Sequence, residues 1–186
     1  MEMESMFTEQ KWNILRELSS EKASPLQLAE KLNTTMANIS QQLRLLEASN
    51  LVKKEKIKNR DKGKPRTLFS LTHDHAYLVS AMNNFAAKKL VHLNEHQKAT
   101  VRIWFIEDEE LQHKAEKLYW NLLDALDKVD AIIADQGNKA LLVLTKEREA
   151  VREISEKTGI GVKFISKTEA ERKMSEEGNI LVYRRG

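Results

Sequence analysis

Between Ser24 and Thr72 the chain reads SPLQLAEKLNTTMANISQQLRLLEASNLVKKEKIKNRDKGKPRTLFSLT, and no other stretch restricts the possible folds as much. Ser24 can cap a helix, Pro25 fills the first helical position, where a missing N–H is no loss, and Gln27 completes a capping box. Leu26, Leu28, Ala29 and Leu32 supply the inward face of that short helix. Asn33 and Thr34 form a turn. Thr35 then caps a second helix whose buried side is Ile39, Leu43 and Leu46, with Leu45. Asn50 stands where this helix must stop, and asparagine tolerates the left-handed conformation found just past a helix end. Leu51 to Ile57 alternates as a strand, NRDKGKP breaks regular structure at Gly63 and Pro65, and Thr67 to Leu71 returns as a second strand. Upstream, TEQKWNILRELSS predicts a further helix, capped by Thr8 and burying Trp12, Ile14, Leu15 and Leu18.

Three helices followed by a hairpin with a basic tip make a winged helix-turn-helix. The charge supports the same reading. The formal net charge is only +3, yet residues 53–66 hold eight bases and two acids. A patch this local implies an anionic partner at one surface. The outer side of the third helix, Met36, Asn38, Ser40, Gln41 and Arg44, begins at Thr35 and has no acid until Glu47. Amide, hydroxyl and guanidinium groups can bond base edges or phosphates, and no carboxylate repels the backbone. The wing residues Lys58, Arg60, Lys62, Lys64 and Arg66 are expected on the flanking phosphates or in the minor groove.

SPLQLAEKL, then ISQQLRLLEASNLVKKE, a basic turn and LFSLT resemble the ArsR/MarR-like winged helix-turn-helix regulators of bacteria and archaea. That family usually has a glycine before the Leu-Val pair; here it is Asn50. The resemblance implies DNA binding, usually as a homodimer and in transcription control. It covers about a quarter of the chain.

Beyond Thr72, read as another N-cap, Ala76, Val79, Met82, Phe85, Ala86, Leu90 and Leu93 recur at intervals of three and four. They predict a helix over 73–98 that links the domains. Val79, Met82, Phe85, Ala86 and Leu90 form its dimerisation seam. VRIWFI (101–106) predicts a strand, 108–135 a long amphipathic helix, ALLVLT (140–145) and GVKFIS (161–166) two buried strands, and NILVYRR (179–185) a last one. Helices are expected at 146–157 and 168–175. Alternating strands and helices argue for a small α/β domain with a mostly parallel sheet. The expected class is therefore α+β: a winged helix-turn-helix at 1–72, a linking dimerisation helix at 73–98, and an α/β domain at 99–186.

The chain has no cysteine, which excludes disulfides, thiolate metal sites and cysteine nucleophiles and makes an intracellular, cytoplasmic location the expectation. Apolar runs fall short of a membrane span, and the acidic, polar start MEMESMFTEQ does not read as a signal peptide. No P-loop, dinucleotide fingerprint, HExxH or nucleophile elbow is present, so no enzymatic activity and no cofactor are expected. His92, Glu95 and His96 share helical spacing and are weak metal candidates. ArsR-type metal sensors pair a His-x-x-Glu/His with an Asp-x-His, and here Asp74 is followed at once by His75.

The expected function is sequence-specific binding of double-stranded DNA by a transcriptional regulator. Its third helix would lie in the major groove, with two heads spaced by about one helical turn (~34 Å) in a homodimer. The alternatives are a sequence-tolerant nucleoid or architectural protein, and a ligand-binding or enzymatic α/β module controlled by a DNA-binding head. The C-terminal domain is expected to meet a small-molecule effector or a protein of the transcription machinery. Residues 107–186 hold 14 bases and 17 acids, which argues against a second DNA surface there. If about four wing bases each neutralise a phosphate, a salt titration of DNA affinity gives a log–log slope of roughly −4 per chain from the wing alone; a flat response removes the wing from the interface.

Overall fold

The structure is a computed structural model that describes residues 7–57 and 66–185. The chain divides into two units, Met1–His92 and Leu93–Gly186, and each has its own hydrophobic core.

The first unit begins with α1 (Glu9–Ser20), α2 (Pro25–Lys31) and α3 (Met36–Ala48). The capping box at α2 is formed: the Gln27 amide donates to Ser24 Oγ at 3.3 Å, and the Ser24 amide donates to Gln27 Oε1 at 2.9 Å. Asn33 takes a left-handed φ of 48° between α2 and α3, and Thr35 Oγ1 accepts from the Asn38 amide at 3.2 Å. Asn50 has φ 57°, the expected left-handed exit from α3. Thr8 precedes α1 without a side-chain cap bond. Ile14, Leu18, Leu28, Ile39, Leu43 and Leu46 form the centre of the core. Trp12 and Leu26 do not join it; they are 53% and 55% exposed. Each lies just off the stripe that Ile14–Leu18 and Leu28–Ala29 define, and a short helix buries only one narrow face.

Strands β1 (Val52–Ile57) and β2 (Arg66–Leu71) pair antiparallel, with Val52 opposite Leu71 and Ile57 opposite Arg66. The backbone of β2 is tied back to the segment before α2 at Phe69. Ala23 N–H donates to the Phe69 carbonyl at 3.1 Å, and Phe69 N–H donates to the Ala23 carbonyl at 2.8 Å.

The expected helix over 73–98 is absent. Its first part is a hairpin, β3 (His75–Met82) and β4 (Phe85–His92), joined by Asn83-Asn84, with Asn84 at φ 62°. An asparagine pair between β-permissive runs is a turn signal that outweighs the three-and-four spacing of the apolar residues. Thr72 is correspondingly no N-cap; its amide bonds the Leu51 carbonyl at 3.1 Å. The proposed seam also splits. Because side chains alternate along a strand, Val79, Ala86 and Leu90 share one face of the hairpin and Met82 and Phe85 the other. Leu90 packs against the helical core, while Val79, Met82 and Phe85 are exposed.

The second unit opens with α4 (Glu95–Trp104) where a strand at 101–106 was expected. A capping box between Asn94 and Gln97 starts this helix, and Ala99 and Ile103, four apart, are its buried side. Those two signals override the β-branched and aromatic content of VRIWFI. Residues 108–135 are not one helix. Helix α5 (Glu109–Asn121) and a 3-10 helix (Leu123–Lys128) lead into β5 (Val129–Asp135). The missed strand changes the topology. The four-stranded sheet has the order β7-β6-β5-β8, with β6 (Ala140–Thr145), β7 (Val162–Phe164) and β8 (Asn179–Arg184). Pairs β5–β6 and β5–β8 are antiparallel and only β6–β7 is parallel, so the sheet is mixed, not mostly parallel. β7 is a short, half-buried edge. Helices α4, α5 and α6 (Arg148–Lys157) pack with Ile132, Leu141, Val143 and Val182 on one face. Helix α7 (Lys167–Ser175) covers the other face through Ala170, against Ile133 and Leu142.

At the end of β5, Asp135 is 3% exposed and accepts from the Asn138 amide (3.0 Å), Asn138 Nδ2 (2.9 Å) and Lys173 Nζ (2.9 Å). Burial opposes its ionisation, but these bonds outweigh burial and hold the carboxyl below the ordinary aspartate range. The stabilisation is full above the unfolded-state value and is lost as pH falls through the lower folded value. Asp135→Ala should therefore lower the thermal midpoint of the second unit at pH 7, with the gap from wild type narrowing towards pH 2; a gap independent of pH would assign the loss to packing instead. Because no core residue is shared between the units, residues 93–186 expressed alone should unfold cooperatively, with a sigmoidal far-UV circular dichroism transition. Leu43→Ala, in the other core, should destabilise the first unit by about 2–5 kcal/mol in urea titrations and leave that transition in the full chain unmoved.

Candidate nucleic-acid interface

Helix α3 is held from beneath by Ile39, Leu43 and Leu46, which turns Met36, Ala37, Gln41, Arg44 and Ala48 to solvent. Ala37, Gln41, Arg44 and Ala48 are three or four residues apart and form one continuous stripe, with Met36 to one side of it. No carboxylate lies on it. Glu47, the nearest acid, sits off the stripe and pairs with Lys54 of β1 at 3.0 Å. Neutralised in this way, Glu47 does not face an incoming polyanion as a bare charge.

The structure separates the residues expected to read DNA into two groups. Met36, Gln41 and Arg44 are exposed, and Thr35 opens the helix with its hydroxyl used as the cap. Asn38 and Ser40 are engaged within the helix. Asn38 Nδ2 donates to Thr34 Oγ1 at 3.1 Å, Asn38 Oδ1 accepts from Gln42 Nε2 at 3.3 Å, and the Ser40 hydroxyl donates to the Met36 carbonyl at 2.7 Å. These bonds order the first turns of α3 and leave Gln41 and Arg44 as its long outward polar groups. Beside them, a cleft of 260 Å³ between α1, the α2–α3 turn and α3 is rimmed by the amides of Gln10, Asn13, Asn33, Asn38 and Gln42.

Of the expected wing residues, Lys58, Arg60, Lys62 and Lys64 lie outside the described residues. Arg66 opens β2 and is exposed opposite Ile57. Lys53 and Lys56, part of the basic run at 53–66 but not among the expected DNA contacts, are exposed on β1. Their signal was present in the strand alternation, where only Val52 points into the core. Glu55, between them, is held ionised by a hydrogen bond from Lys22 at 2.8 Å, which draws its pKa below the ordinary glutamate value.

The histidines are arranged differently from expectation. His92 ends β4, so it does not share a helix with His96. His96 Nδ1 bonds the buried Tyr119 hydroxyl at 2.8 Å, and Glu95 pairs with Lys98 at 2.8 Å. Three other side chains converge instead. His75 is the register partner of His92, and His73 precedes β3, with ring centroids 4.8 Å (75–92), 5.0 Å (73–92) and 5.8 Å (73–75) apart. Half-burial lowers the His75 pKa, and the neighbouring His92 lowers it further; a hydrogen bond to the His73 backbone pulls the other way.

In the second unit a 520 Å³ cavity is bordered by Asp130, Lys146, Lys167, Glu171, Arg184 and Arg185, with Leu144 and Met174 as apolar wall. Arg185 is paired with Asp130, so the rim is charge-balanced in part.

Among comparisons with known proteins, residues 13–55 match a helix-turn-helix domain family. The matched span runs from within α1 to the middle of β1 and contains all of α2 and α3. It supports a DNA-binding regulator with DNA as partner. No curated protein matches the chain. No helix among the described residues is long and apolar enough to cross a membrane.

Proposed function

We propose that the protein is a sequence-specific, double-stranded DNA-binding transcriptional regulator of the ArsR/MarR-like winged type, acting by binding and without catalysis. The observation that carries this reading is the acid-free outer stripe of α3, with Gln41 and Arg44 at its centre and a run of bases immediately following. Helix α3 lies in the major groove, and Lys53, Lys56 and the wing bases track the phosphates. A cytoplasmic location follows from contact with the genome in a prokaryotic cell.

A homodimer completes the reading, since one head spans only a few base pairs and two heads read a palindrome. With the helical seam gone, Met82 and Phe85, which share one face at the tip of the hairpin, are exposed apolar residues available for self-association. The part-charged cavity of the second unit is the place for a small-molecule effector. A sequence-tolerant architectural protein is the second reading. It is favoured by the internal engagement of Asn38 and Ser40, which leaves few side chains for base edges.

Selection of bound duplexes from a random pool separates the two: a palindromic motif supports the regulator, and no enrichment supports the architectural protein. On the selected site, Arg44→Ala and Gln41→Ala should each weaken binding by about 1–3 kcal/mol and relax preference at one base position. An Arg44→Ala loss equal on selected and random DNA, with a salt slope shallower by about one, would move Arg44 from a base to a phosphate. Loss-free binding in both variants would remove α3 from the groove.

A further inference from the structure

Three of the chain's five histidines meet at the base of the β3–β4 hairpin. His73, His75 and His92 each offer a ring nitrogen, and these atoms lie within 4.8 Å of one another. Two different structural facts bring them together: the antiparallel register places His75 opposite His92, and the bend after β2 brings His73 alongside. From this geometry we propose that His73, His75 and His92 form a binding site for one divalent first-row transition-metal ion of the zinc type, one per chain.

The donor chemistry selects the ion. Three imidazoles without thiolate or a carboxylate ligand suit Zn²⁺, Co²⁺, Ni²⁺ or Cu²⁺ and are poor ligands for Ca²⁺ or Mg²⁺, which take oxygen. Tetrahedral zinc with nitrogens at 2.0–2.1 Å places its ligand atoms about 3.3 Å from each other. The present separations need to close by about 1.5 Å at most. His73 and His92 are exposed and His75 only half-buried, which leaves the side chains room to rotate about χ1 and χ2. With two exposed ligands the fourth position opens to solvent and takes water.

A bound ion would join the bend after β2 to both strands of the next hairpin, and so clamp the angle between the wing and the hairpin. The site stands on the histidine geometry alone and holds whether or not the chain binds DNA.

The test uses the full chain with its affinity tag removed and metal stripped by chelation. Co²⁺ is titrated with visible absorbance, then displaced by Zn²⁺. Wild type should take up one Co²⁺ per chain, develop tetrahedral d–d bands and release the ion to Zn²⁺. His73→Ala, His75→Ala and His92→Ala should each weaken Co²⁺ binding by roughly tenfold or more, with far-UV circular dichroism unchanged for the two exposed positions. His113→Ala, on α5, should bind as wild type does. Imidazole ¹H–¹⁵N spectra should show Zn²⁺ shifting three of the five histidines. No cobalt uptake, uptake that survives His92→Ala and His73→Ala, or uptake lost in His113→Ala would overturn the site.

Discussion

The two hydrogen bonds that Ala23 and Phe69 exchange are the constraint on which the first unit depends. Ala23 immediately precedes the cap of α2, and Phe69 is the buried centre of β2. Their pairing makes the segment before α2 a short third partner of the β1–β2 pair. It fixes the direction in which α2 leaves, and the capping box and the left-handed Asn33 then fix α3 relative to α2. The orientation of α3 thus follows from one long-range pairing, Ala23 with Phe69, and two local features, the Ser24–Gln27 capping box and the left-handed Asn33. Gln41 and Arg44 owe their common direction to this scaffold and to the buried Ile39, Leu43 and Leu46 beneath them.

The electrostatic design follows from the same scaffold. Acids near the basic surface are consumed locally: Glu47 by Lys54, Glu55 by Lys22, Glu17 and Glu21 by Lys31. Exposed pairs like these contribute little stability. Their effect is on the field, because a polyanion approaching α3 and β1 meets bases and already-paired acids. In the second unit the better-buried pair between Asp135 and Lys173 does something else, anchoring α7 to the end of the central strand.

What could be read from the residues alone depended on how local the cause was. The helix-turn-helix was legible because its determinants are caps, a turn and an apolar stripe within about 25 residues of one another, and Ser24, Thr35 and Asn50 act as their types suggest. The hairpin over 75–92 is hidden in the sequence because Val79, Met82, Ala86 and Leu90 satisfy a helical period by coincidence, while the decisive Asn83-Asn84 turn is two residues long. The central strand β5 was absorbed into a helix for a related reason: a fully buried strand has no alternation, and AIIA is apolar either way. With β5 unseen, the strand order could only suggest a parallel sheet. The internal bonds of Asn38 and Ser40 and the meeting of His73, His75 and His92 arise from three-dimensional proximity that spacing along the chain does not encode.

The hairpin has a mechanical consequence. Eight residues per strand make an arm about 25 Å long, with its apolar tip at Met82 and Phe85 and its fulcrum at His75 and His92. A two-stranded ribbon of this kind is weakly supported along its length, so its base sets its aim. A rotation of about 10° there sweeps the tip through about 4 Å, comparable with the spacing between neighbouring strands. Whatever sits at the fulcrum, a proton, an ion or nothing, therefore acts with leverage on anything gripping the tip.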